Sequence, residues 1–105
     1  MMFGLSDRTL KMTVEAISQF TSINRASIFG SRAMGNYKRG SDIDIVIWGE
    51  NITFALVDEL HTMLNEKLPI PYYYDVICYD LTDNEAIKSH IDEFGKEIFN
   101  RINTD

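Results

Sequence analysis

Gly30-Ser31-Arg32-Ala33-Met34-Gly35, followed across Asn36 to Gly40 by Ser41-Asp42-Ile43-Asp44, is the stretch that decides how this chain folds. Just upstream, Ala26 to Phe29 is a short apolar run that stops at Gly30, the pattern of a buried strand ending in a turn. Gly30 to Gly40 holds three glycines, Asn36, the Ser31 hydroxyl and the cations Arg32, Lys38 and Arg39, and it reads as a functional loop with one helical turn after Gly30. From Asp42 to Trp48 a second strand follows. Its Ile43, Ile45 and Ile47 take one face and its Asp42, Asp44 and Val46 the other.

The parts make chemical sense together. A Gly-Ser at a strand end lets backbone N–H groups and a hydroxyl come close to a phosphate, and a helical turn starting there adds the positive end of its dipole. Two aspartates two residues apart on a strand have Cα atoms roughly 6.5 Å apart on one face, which suits shared hard cations. Mg²⁺ takes oxygen ligands and is usually held by one or two carboxylates plus substrate phosphates, and a pair of such ions clamps both oxygens of an in-line displacement. Taken alone, Asp42 and Asp44 read as the polar side of an ordinary strand; the Gly-Ser ten residues upstream makes them metal-ligand candidates. Asp75 is a charge inside the apolar run Tyr72 to Tyr79, a third strand, and is the candidate third carboxylate.

Outward from this centre the pattern is helical. Ser6 or Asp7 can cap a first helix with Leu10, Val14, Ile17 and Phe20 as its apolar stripe. Thr53 can cap a second, running to about Lys67 with Leu56, Leu60, Met63, Leu64 and Leu68 inward, until Pro69 and Pro71 stop it. Thr82 and Glu85 form a capping box for a third, whose stripe Ile87, Ile91, Phe94, Ile98 and Ile102 runs nearly to the C-terminus. The expected fold is α/β (α+β): one domain over residues 1–105, a small mixed sheet of three or more strands packed by about three to four helices.

Composition narrows the function. With 105 residues, 45% of them hydrophobic, the chain can build one core. A formal net charge of −6 disfavours nucleic acid as the main partner, since backbone binding usually needs a positive stripe. The single cysteine, Cys78, sits in an apolar run and reads as a buried thiol, easiest to accommodate in a reducing compartment. No signal-like start and no membrane-length apolar run are present, so a cytoplasmic location is expected. His61 and His90 fall within helices without a metal-type partner one turn away, glutamates aside, and receive no role. Tyr72, Tyr73, Tyr74 and Tyr79 read as strand packing, with one of them able to stack on a base.

Gly-Ser, ten residues, Asp-x-Asp, and an Asp in an apolar strand about thirty residues later together resemble the DNA polymerase beta nucleotidyltransferase superfamily, and the short chain resembles its minimal nucleotidyltransferase (MNT) proteins. The resemblance spans nearly the whole chain. It implies that Gly30 and Ser31 bind the triphosphate, that Arg32 contacts phosphate, that Asp42 and Asp44 bind two Mg²⁺ ions, and that Asp75 binds the catalytic ion and helps deprotonate the acceptor hydroxyl. Met34 departs from the usual Gly-Ser-Arg-Ala-Arg-Gly signature, which bears on donor affinity and not on the metal site. The resemblance further implies ATP as donor, and an antitoxin that transfers AMP to a tyrosine of an all-helical HEPN toxin partner. Two other functions remain open: a non-catalytic antitoxin that blocks its partner by contact, and nucleotidyl transfer to a small molecule such as an aminoglycoside. Larger relatives of the latter kind carry an acceptor-binding domain for which this chain has no room.

Overall fold

A first helix, α1 (Asp7–Ser18), begins where the Ser6 side chain accepts the Thr9 N–H, as its N-cap role requires. The computed structural model describes residues 1–101. After α1 the chain runs through β1 (Ile23–Phe29), a five-residue helical turn α2 (Gly30–Met34), β2 (Ile43–Gly49), α3 (Phe54–Thr62), β3 (Tyr74–Cys78), α4 (Glu85–Phe94) and β4 (Lys96–Asn100). The strands form one mixed sheet in the order β3-β2-β1-β4, with β2 and β3 parallel and the other pairs antiparallel. The expected α/β class with a small mixed sheet is therefore what the chain adopts, with four α-helices among the described residues.

Alternation along the strands builds a core on each side of the sheet. Ile43, Ile45 and Ile47 of β2 share one face with Ala26 and Ile28 of β1 and Tyr74, Val76 and Cys78 of β3, all packed against Ala16 and Ile17 of α1 and Leu60 of α3. Each isoleucine of the β2 trio is fully buried and stabilises the fold by about 1.5–3 kcal/mol. On the opposite face Phe29, Val46 and Ile91 pack with Trp48, Ile77, Tyr79 and Ile87, so α4 covers that side. The face that carries Asp44 is thus the one that α4 partly roofs.

The chain departs from its sequence pattern in four places. In α1 the most deeply buried residues are Thr9, Thr13, Ala16 and Ile17, while Leu10 and Phe20 pack at the margin and Val14 lines a surface concavity. The threonines go inside because they have partners: the Thr13 hydroxyl bonds to Thr9 O at 2.8 Å and to the Tyr74 hydroxyl at 2.6 Å. In α4 the cap is Asn84, whose Oδ1 accepts the Ile87 N–H at 3.0 Å, and not Thr82, which binds the Asn84 N–H two residues earlier. The third departure is the largest. The expected helix through Ile98 ends at Phe94, and after Gly95 the chain turns into β4; Ile102 lies outside the described residues. Gly95 is a poor helix continuer, and residues beyond it satisfy their backbone groups by pairing with the otherwise open edge of β1.

The second helix behaves as expected up to its last turn. There it widens into a π-helical turn, Met63–Lys67, before Pro69. The widened turn carries Asn65, which donates to Tyr74 O at 3.0 Å and accepts the Tyr74 N–H at 2.8 Å. Asn65 thereby supplies to the outer edge of β3 the two bonds that a further strand would have given.

Candidate active site

The end of β1, the start of β2 and the start of β3 meet at one point. Phe29 pairs with Asp44 across the β1–β2 ladder, and Asp44 pairs with Asp75 across the parallel β2–β3 ladder. Neighbouring strands lie about 4.8 Å apart, so register alone puts the two carboxylates side by side. A hydrogen bond from the Ile43 N–H to Tyr73 O, 2.8 Å, fixes that register at the strand ends. Asp42 stands at the exposed entry to β2, Asp75 is exposed, and Asp44 is half-buried between them.

Gly30 closes the fourth side. It takes φ +73°, which side chains other than glycine's rarely adopt, and a Cβ there would collide with an Asp44 carboxylate oxygen. The loop backbone therefore lies directly against Asp44. Gly35, at φ +87°, ends α2 and donates its N–H to Ser31 O at 2.9 Å.

Three carboxylates crowd one spot, and the electrostatics register it. Asp44 is pushed up to about 6, first by burial, then by the charges of Asp75 and Asp42, with Arg32 pulling the other way. Among the described residues no group of three or more His, Cys, Asp and Glu side chains is arranged so that it could hold a metal ion by itself. The carboxylates are grouped by strand register and left open towards solvent. Such a donor set is all oxygen, anionic and incomplete, and it fits Mg²⁺, which keeps waters and completes its shell with substrate phosphates. Larger concavities, of about 480 and 490 Å³, lie against α1 and β4 and along α3. None of the three aspartates lines them.

Arg32 is placed differently from its expected phosphate contact. The side chain is 3% exposed. Its Nε and Nη2 donate to Ser41 O at 3.1 and 2.8 Å, its Nη1 donates to Phe3 O at 2.9 Å, and the rings of Tyr37 and Tyr72 flank the guanidinium at 5.2 and 4.7 Å. With its fork directed at two carbonyls, Arg32 anchors the return of the loop at the residue before Asp42 and ties the N-terminal segment to it. Lys38 and Arg39 are exposed on the same loop, beside a concavity of about 260 Å³ shared with Tyr37 and Tyr72. Ser31, next to Gly30, is partly exposed.

Sequence reasoning missed one residue here. His90, on α4, accepts the Gly30 N–H at Nε2, 2.8 Å. Its spacing of three from Ile87 and four to Phe94 sets it on the inward face of α4, a signal in the pattern, but its partner lies sixty residues away.

The family model for polymerase beta nucleotidyltransferases matches residues 11–104. The chain belongs to this nucleotidyltransferase family. No curated protein sequence matches the chain at a significant level. Among solved structures, this nucleotidyltransferase is similar to a toxin–antitoxin chain crystallised with AMP-PNP, at 18% identity and a TM-score of 0.70 over 91% of this chain and 74% of that one. It is also similar to a chain of a complex of tri-AMPylated Shewanella oneidensis HEPN toxin with MNT antitoxin, at 14% identity and a TM-score of 0.69 over 91% and 73%. A protein of Sulfolobus solfataricus described as a candidate nucleotidyltransferase is 23% identical, with a TM-score of 0.57 over 91% and 84%. At these identities what the nucleotidyltransferase shares with them is the fold.

Proposed function

We propose that this chain is a Mg²⁺-dependent nucleotidyltransferase that moves AMP from ATP to a tyrosine hydroxyl of a HEPN toxin, and so acts as the antitoxin. The observation that carries the chemistry is the meeting of Gly30, Asp44 and Asp75 at one point, with Asp44 half-buried beside the charges of Asp75 and Asp42, which Arg32 offsets only in part. The partner is supported by the fold shared with MNT chains from HEPN complexes and by a site that stands on open surface, where a protein hydroxyl can reach it.

In this reading Gly30 and Ser31 lie against the triphosphate, their N–H groups and the Ser31 hydroxyl fixing its orientation. Asp42 and Asp44 would hold the metal, with Asp75 as the third ligand. Mg²⁺ held there would supply charge neutralisation at the phosphates. The acceptor oxygen forms a bond to the α-phosphorus, the bond from that phosphorus to the bridging oxygen breaks, pyrophosphate leaves, and the acceptor proton passes to Asp75. Positioning supplies most of the rate, as is general for such transfers, and no covalent enzyme intermediate is needed. Arg32 serves as the anchor of the loop and not as a phosphate ligand.

One residue favours a second reading, neutralisation of the partner by contact alone. Met34 replaces the second arginine of the usual signature and is 46% exposed, so that cation is missing from the loop. Intact mass spectrometry of the helical partner separates the two, after incubation with this chain, ATP and Mg²⁺ beside the Asp42→Asn and Asp44→Asn double variant. Mass gains of AMP units, absent with the variant, are expected; neutralisation without any gain sinks catalysis and leaves binding.

A further inference from the structure

We propose that His90 is a positioning residue for nucleotide binding, holding the Phe29–Gly30 peptide in the orientation that keeps Gly30 against Asp44; this rests on the nucleotidyl-transfer reading above. His90 Nε2 takes the Gly30 N–H at 2.8 Å across sixty residues of sequence. The imidazole is held from two sides, edge-on to the Phe29 ring at 6.1 Å and tilted against Phe94 at 5.3 Å. An imidazole nitrogen accepts a hydrogen bond only when it carries no proton, so the contact requires the neutral ring with its hydrogen on Nδ1.

Gly30 is where such a restraint has consequence. Glycine passes between positive and negative φ at little cost, and this one is needed at φ +73° beside the Asp44 carboxylate. A flip of its peptide would move both the backbone that faces the donor phosphates and the wall against which Asp44 rests. Among the described residues no other side chain bonds the Gly30 amide. The sheet holds Phe29, the turn after Gly30 holds Ser31, and His90 holds the joint between them. Its one hydrogen bond among those of the described residues goes to Gly30 and none goes to the three aspartates, so it acts through Gly30.

The test uses the full chain and the variants His90→Leu and His90→Gln. In the wild type without nucleotide, a long-range proton–nitrogen spectrum of the imidazole is expected to show hydrogen on Nδ1 and a bare Nε2. Hydrogen on Nε2 overturns the proposal. Titration with Mg·ATP is expected to show binding weakened about tenfold by His90→Leu, the scale of one lost hydrogen bond, and restored to within about twofold by His90→Gln, whose amide oxygen can take the acceptor place. Equal affinity in wild type and in a His90→Leu chain that is folded by its amide spectrum also overturns it. A wild type that binds no Mg·ATP refutes the nucleotidyl-transfer reading itself, and the imidazole spectrum then decides whether His90 holds Gly30 at all.

Discussion

Ionised Asp44 destabilises the metal-free chain, because the folded state holds its proton more tightly than the unfolded state does. Below about pH 3.8 the group is protonated in both states and contributes nothing; as the pH rises to about 6 the unfolded chain ionises first and stability falls; above that the loss is constant. The displacement corresponds to about 3 kcal/mol in a fully buried setting and to about 1–2 kcal/mol once solvent screening of a half-buried group is allowed for. Asp44→Asn is therefore expected to raise metal-free stability at pH 7 by about 1–2 kcal/mol and to flatten the pH dependence of the melting temperature between pH 4 and pH 6. Added Mg²⁺ should raise the melting temperature of the wild type and leave the variant unchanged. A variant less stable than the wild type without metal would show that Asp44 is compensated after all. Arg32 makes the opposite case at the same scale. Lysine cannot reproduce a fork that serves Ser41 O and Phe3 O together, so Arg32→Lys is expected to cost about 2 kcal/mol in urea denaturation, and an unchanged midpoint would contradict the anchoring role.

At the scale of elements, the π-helical turn at the end of the second helix matters through Asn65. Its side chain bonds both peptide groups of Tyr74, and Asn65→Ala is expected to cost about 2 kcal/mol and to speed amide exchange at Tyr74, because two backbone groups lose their partner. Exchange at Tyr74 as slow as in the wild type would rule that out. The sequence announces the helix that carries Asn65, since Leu60 and Leu64 keep their spacing, but not the widening of its last turn. The same division runs through the fold. Strands β1 to β3 and the shared face of Asp42 and Asp44 are legible because alternation and the Gly-Ser spacing are local signals. Strand β4 is not, because Ile98 continues a helical stripe and only pairing with β1, distant in sequence, overrides it. At the site, Gly30, Asp44 and Asp75 are legible by type and spacing, whereas the inward turn of Arg32 and the reach of His90 depend on which backbone atoms the finished fold brings near them.

Across the whole molecule, the sheet order leaves β3 at an edge beside β2, which bears Asp44, and this puts the proposed third ligand, Asp75, on an edge strand. An edge strand is also where proteins aggregate, and Tyr72 to Tyr79 has the marks of a hazardous segment: aromatic, β-branched, free of proline. Asp75 is the single charge in it. The carboxylate proposed for catalysis is therefore also expected to oppose strand-to-strand stacking between copies, beyond the stretch at Tyr74 that Asn65 covers. Replacing it by an apolar residue should remove both properties at once. Asp75→Val is expected to scatter light at concentrations where Asp75→Glu stays clear, although both lose transfer; equal clarity of the two would confine Asp75 to chemistry. A charge at this position is thus expected to keep the chain in solution even in a variant that no longer transfers a nucleotide.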